Sequence, residues 1–367
     1  MNLASSEPLD PASSTKFIAS ARCSKNRSRI PGLTGSIVIT CVLCLTTGAY
    51  PQSGRARQQT QPDSPAIRLR AEEVLVTVTV QSDSGKLPDR LSPSDLIVAE
   101  DNSRRTATSL VRAPASIVLI VDNCIEFSGE KNINLNRDAA LRVIESMGST
   151  DTAAIITYAG KVDILCRLTG DKDLLRRALT DSFKPAPHSH LYDSLIYAAD
   201  DLLAQAPGRH SIVLFTDGYD ASPRNALENA KQALDRARAT VYIVDQRTMI
   251  LKKLGPIQSG NRTNVMKLNP RFRQMIEDQE RYIRTIDGAQ QAMTELAENS
   301  GGAFWDPASE TEFTNACRSL IHDLGSEYVV AYTSERTVGD TRLHDLKVYP
   351  NRLGLRVRVR RGIYSRP

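Results

Sequence analysis

Ser116–Glu126 reads S-I-V-L-I-V-D-N-C-I-E. Five apolar, mostly β-branched residues run without a break and end in an aspartate. A short continuous apolar run is the pattern of a strand buried on both faces, as in a parallel sheet. Polar residues begin at the strand's carboxyl end, the edge at which open α/β sheets bind ligands. Ser211–Asp217 (S-I-V-L-F-T-D), followed by Gly218, repeats the shape, and so does Thr240–Asp245 (T-V-Y-I-V-D). Three buried strands each ending in a carboxylate, with helical patterns between them, predict an α/β fold. Its sheet is doubly wound and mostly parallel, with acidic groups gathered along one edge.

Helical periodicity places apolar residues Leu135, Ala139, Val143 and Met147 on one face of a helix over 134–147. Residues 153–158 and 162–166 are strands separated by Ala159-Gly160-Lys161. That spacing allows a hairpin, so the second strand is expected as an antiparallel edge. Helices are expected over 171–181 and 190–205. Ser222-Pro223 supplies an N-cap and a first-turn proline for a helix running to Ala237. Residues 249–284 break the rhythm with loop signals and read as an insertion leading into a helix that Gly301-Gly302 terminates. A short strand at 303–306 and a helix at 310–324 close this part, which spans 114–324.

The flanks differ in character. In Glu72–Val80, Val74, Val76, Val78 and Val80 fall on one face and Leu75, Thr77 and Thr79 on the other, the period of a β-strand. Residues 95–100, 106–111, 328–332, 344–348 and 355–361 read as further strands. Residues 69–113 and 325–367 are therefore expected to combine into one small antiparallel β domain, because neither piece has enough strands to be stable alone. In the last strand Arg356, Arg358 and Arg360 alternate with Leu355, Val357 and Val359, and read as a solvated outer face.

The N-terminus has another composition again. Residues up to Arg29 are polar and basic, residues 33–47 are uncharged and largely apolar, and Thr47-Gly48-Ala49 is a small-x-small cleavage pattern. Residues 1–49 are thus expected to be a signal peptide or an uncleaved signal anchor, with the mature chain secreted or periplasmic. The apolar stretch is short against the ~20 residues of a membrane span. Residues 50–68, rich in Gln, Ser, Pro and Arg, read as a disordered linker. Cys23, Cys41 and Cys44 fall in the leader. Cys124, Cys166 and Cys317 remain, an odd number that leaves at least one free thiol and no disulfide framework.

The 367-residue chain is ordinary in hydrophobic (41%) and charged (24%) content, and its net charge of +5 does not argue for nucleic acid. It holds no G-x-G-x-x-G, P-loop, G-x-S-x-G or H-E-x-x-H motif, which counts against nucleotide-binding, α/β-hydrolase and zinc-protease readings.

V-D-N-C-I-E at 121–126, H-S-H-L-Y-D-S-L at 188–195 and F-T-D-G at 215–218, in this order, resemble the von Willebrand factor type A (VWA) domain over roughly 114–324. The flanking Y-V-V-A-Y and R-V-R-V-R-R-G-I-Y resemble the VWA-related proteins abundant in acidobacteria. The resemblance implies a binding module for a protein partner. It also implies a metal-ion-dependent adhesion site holding Mg²⁺, or Mn²⁺ or Ca²⁺. Mapped onto this chain, that site comprises Asp122, Cys124, Glu126, Ser189 and Asp217. The family pattern has serines where Cys124 and Glu126 stand, and a threonine where Ser189 stands. A thiol replaces a hard oxygen at Cys124, and Glu126 adds an anion to a site whose neutral serines would leave the cation electron-poor. The expectation is a weakened or altered metal site, or none.

Other residues read more plainly. Cys124 is expected as a small buried hydrophobe, His188 and His190 as exposed loop histidines, and Asp245 as part of the turn after its strand. Two further functions stay open beside the binding module: a metal-dependent hydrolase using Asp122, Glu126 and Asp217, and a structural envelope protein without metal.

Overall fold

The computed structural model describes residues 72–83, 88, 90–127, 129–221, 227–254, 270–335, 342–361 and 363–364. The expected leader, the linker, the Ser222-Pro223 cap and residues 255–269 of the insertion lie outside them. Every described residue belongs to one compact unit, 64–367.

The uninterrupted apolar run forms β5 (Ala115–Val121), in which every residue is buried. It lies in the middle of a six-stranded sheet with β6 (Thr152–Thr157), β7 (Asp163–Thr169), β8 (Arg209–Thr216), β9 (Thr240–Asp245) and β10 (Ala303–Trp305). The order is β10-β9-β8-β5-β6-β7. All neighbours are parallel except β6 and β7, so β7 is the antiparallel edge that the short connection predicts. The strand order reverses across β5 and β8, which puts a topological switch point at the carboxyl ends of these two strands.

Helices cover both faces. On one side α1 (Gly129–Ser146) and α2 (Lys172–Asp181) bury Val143, Ile144 and Leu175 against Leu119 and Phe215. Asp171 caps α2, its Oδ1 accepting from the amides of Asp173 (2.9 Å) and Leu174 (3.0 Å). On the other side lie α3 (Leu191–Tyr197), continued by π-helical Ala198–Leu203, and α4 (Leu227–Ala237). α5 (Arg247–Leu254) follows β9. The 30-residue α6 (Pro270–Asn299) packs its Met293, Leu296 and Ala297 on the same sheet face as α3 and α4. α6 ends where Gly301, at φ 85°, sends its N–H to the Glu298 carbonyl (3.0 Å) and Gly302 sends its N–H to Ala297 (3.0 Å). α7 (Glu310–Gly325) packs Phe313 and Leu320 into the α1 side.

The two flanks of the chain meet. β1 (Glu72–Ser82) pairs antiparallel with both β11 (Glu327–Ser334) and β14 (Leu355–Val359), and β4 (Ala107–Val111) pairs with β11. A second sheet joins β2 (Leu96–Glu100), β3 (Ser103–Arg105) and β13 (Leu346–Pro350). The short pair β12 (Leu343–His344) and β15 (Ile363–Tyr364) completes the antiparallel part. Val74, Val76, Val78 and Val80 share a core with Val98, Val330, Tyr332 and Val348, which spans both larger sheets.

The arginine row is a solvated face only in part, at Arg356. Arg356 bonds Asp83, Arg358 pairs with Asp323 of α7, and Arg360 reaches Asp235 of α4 and the Leu234 and Ala239 carbonyls. Arg358 and Arg360 join this β sheet to two helices of the α/β part.

Candidate functional site at the acidic sheet edge

Asp122 and Asp217 follow β5 and β8 directly, so the parallel register delivers both to the switch point. They are 2% and 3% exposed. Each makes a tight turn with its own backbone: Asp122 Oδ1 accepts from the Cys124 amide (2.7 Å) and Asp217 Oδ1 from the Tyr219 amide (2.9 Å). Burial holds the Asp122 carboxyl well above its ordinary range, and the nearby Asp217 charge adds to this. Burial raises Asp217 as well, against the opposing hydrogen bonds from Tyr282 and Tyr219.

Asn123, which the sequence reading passes over, fixes the loops around the pair. Its side-chain oxygen accepts from the Tyr158 and Ala159 amides (3.3 and 2.9 Å), and its nitrogen donates to the Lys184 carbonyl (2.6 Å). The 188–190 loop is pinned beside it, Gly160 donating to the His188 carbonyl (2.7 Å) and His190 to that of Tyr158 (2.9 Å).

The fold brings all five expected site residues to this edge, yet their donor atoms do not converge. The Ser189 hydroxyl donates to the Tyr219 carbonyl (2.5 Å). Glu126 turns to His188, accepting from its amide (3.4 Å) and meeting its Nδ1 at 3.2 Å. Burial, and then the Asp122 charge, drives the Cys124 thiol far above its usual value, so it is a protonated small hydrophobe. The Asp217 Oδ2 accepts from the Tyr282 hydroxyl (2.7 Å). No group of three or more His, Cys, Asp or Glu side chains among the described residues is arranged to hold an ion. Mg²⁺ needs hard oxygens in near-octahedral array. Here one oxygen ligand of the family pattern is a neutral thiol, one carboxylate faces a histidine, and a tyrosine covers another. The donor set in this arrangement does not fit that ion.

Tyr282 is fully buried. Its ring stacks on Phe127 (centroids 4.1 Å, 21°) and meets Tyr219 edge-on (4.9 Å, 66°). Ile250 and Ile286 complete this apolar cluster. One signal for it is present in the sequence. Tyr282, Ile286, Ala289, Met293 and Leu296 keep helical spacing, so the tyrosine is the first member of the buried stripe of α6. Of the remaining candidates, His188 is exposed but His190 is half-buried at the start of α3, and Asp245 is buried and accepts from the Arg247 amide (2.7 Å) in the turn after β9.

Residues 116–280 match the family model of the von Willebrand factor type A domain, and the chain carries a VWA domain. Solved structures similar to it include proximal thread matrix protein 1 from the mussel byssus, described with a zinc-occupied MIDAS motif. That protein is 13% identical, with 61% of this chain and 48% of that one covered and a TM-score of 0.43. Another is the vWF domain of the type V pili tip protein Mfa5 from Porphyromonas gingivalis, 20% identical over 32% of this chain and 43% of that one, at a TM-score of 0.28. A third is an aerotolerance-related membrane protein from Bacteroides fragilis, 14% identical over 58% and 99%, at a TM-score of 0.38. The chain spans about half the length of the first two. Among curated proteins no match is found.

Proposed function

We propose that this chain is a secreted or periplasmic binding module that holds a protein partner on the loop rim of its VWA domain. VWA domains are protein-interaction and adhesion modules, and that is the role the fold brings with it. The observation that carries the reading is burial of the acidic edge. Catalytic carboxylates must reach a substrate, and Asp122 and Asp217 are both buried, Asp217 beneath the Tyr282 hydroxyl. The rim around them is open: Ile125 is 43% exposed, and the His188 side chain, paired with Glu126, is 65% exposed. An exposed isoleucine beside a polar pair is a small apolar centre with a polar border, the anatomy of a protein contact. Localisation outside the cytoplasm rests on the composition of residues 1–49.

The test is a photo-crosslinking residue placed at Ile125 or at His188 in the full chain, expressed in its native cells. A discrete protein adduct that excess purified chain competes away, and that an Ile125→Glu competitor does not, is the expected result. Turnover of a phosphate ester by the purified chain, abolished by Asp122→Asn, would replace this reading with the hydrolase.

A further inference from the structure

Besides Cys124 and Glu126, one obstacle to a cation at this edge lies outside the adhesion motif. Tyr282 belongs to α6, and its position is set by the whole helix rather than by one mobile side chain. Ile286, Ala289, Met293 and Leu296 bury the same stripe. The polar side of the helix is tied down as well. Arg247 pairs with Asp287 (2.8 Å) and with Asp306 (2.9 Å), and Gln290 donates to Asp306 (3.0 Å). A fully buried phenol is thereby delivered to the Asp217 Oδ2, between Phe127 and Tyr219.

We infer that Tyr282 is an internal occupant of the acidic edge: while α6 is docked, its hydroxyl takes the Asp217 oxygen that a divalent cation would need, and the edge excludes the ion. A phenol suits this position. It donates one hydrogen bond to Asp217 without adding charge beside two buried carboxyl groups. Restoring the family's serines at 124 and 126 is then not enough to restore a metal site, because the obstruction comes from α6. The inference stands or falls independently of whether the rim binds a partner.

Mn²⁺ titration calorimetry and Mn²⁺ electron paramagnetic resonance on the full chain test this directly. Four proteins are compared: the native chain, Cys124→Ser/Glu126→Ser, and that pair combined with Tyr282→Ala or with Tyr282→Phe. The phenylalanine keeps the ring packing and removes only the donor, which covers the case in which the alanine variant does not fold. The native chain and the serine pair are expected to bind no Mn²⁺ at millimolar concentration. A folded triple variant is expected to bind it about 10- to 100-fold more tightly than the serine pair, the equivalent of one charge-assisted hydrogen bond released from competition. Mn²⁺ binding with Tyr282 intact, in either of the first two proteins, overturns the inference. So does a folded triple variant that binds no better than the serine pair.

Discussion

Arg209 and Glu327 form an ion pair with side chains 2% and 0% exposed. Arg209 opens β8 of the parallel sheet and Glu327 opens β11 of the antiparallel one, so the pair joins the two parts of the fold. The carboxylate also accepts from the Ser211 hydroxyl (3.0 Å) and the Tyr242 hydroxyl (2.8 Å). The guanidinium also reaches the Ala113 and Leu324 carbonyls (2.9 and 3.1 Å). Breaking such a pair by removing one partner strands the other charge, at a cost of about 3–5 kcal/mol. Glu327→Ala should lower the unfolding free energy by that amount, read as a lower denaturant midpoint at an unchanged slope. A loss under about 1 kcal/mol, the range of exposed pairs, would mean that water reaches this joint.

Asp245 makes stability depend on pH. Burial pushes its carboxyl up to about 8, with the Asp306 and Asp217 charges adding to the rise and the Arg247 amide and charge opposing it. In the unfolded chain an aspartate ionises near 3.9. Between about 4 and 8 the unfolded chain loses this proton while the folded chain keeps it, so stability falls as pH rises through the window and levels off above it. Asp245→Asn should remove that slope. The variant should be more stable than the native chain at pH 8, by on the order of a few kcal/mol, and equal to it at pH 4. Thermal melts across the range read this out, and parallel curves for the two proteins would contradict it.

Arg356, Arg358 and Arg360 should not be equivalent. Arg356 is 72% exposed and among the described residues holds only Asp83, so Arg356→Ala should change stability by under about 0.5 kcal/mol. Arg360 is 16% exposed and satisfies two backbone carbonyls at the end of α4 as well as Asp235. Arg360→Ala should cost about 1–3 kcal/mol. High salt should erase the first effect and spare most of the second, which a pair of urea titrations would resolve.

Gly302 is required by close approach. A Cβ there would lie 1.9 Å from the Val241 carbonyl oxygen, so alanine must push β10 away from β9. Gly302→Ala is expected to cost about 3 kcal/mol, the upper range for overpacking. Amide exchange should speed up in 303–305 before it does elsewhere.

The architecture was largely legible because it follows local pattern. The unbroken apolar run of β5 announces burial on both faces, the alternation of Val74 to Val80 announces one-sided burial, and Ala159-Gly160-Lys161 is too short to let β7 run parallel. Asp122 and Asp217 were legible for the same reason, as first polar residues after buried strands. Their surroundings were not. Tyr282 lies 65 residues from Asp217 in sequence, and nothing within its own helix says which carboxylate it will meet. Arg358 and Arg360 alternate like a wet strand face, and only the packing of α7 and α4 beside β14 supplies their acceptors. The division of the flanking strands into two larger sheets also depends on tertiary pairing, since any of these short alternating segments could pair with any other.

The place of β1 between β11 and β14 has a consequence for the order of events during biosynthesis. β1 leaves the ribosome first among the described strands, and its partners are made last: Thr79 waits for Glu327, and Val78 for Val359. At 5–20 residues per second that delay is on the order of 10–50 s. Throughout it a strand with four valines on one face has no sheet to join. The parallel sheet, whose strands all lie between, can assemble in the meantime, and the antiparallel part closes over it only when the tail arrives.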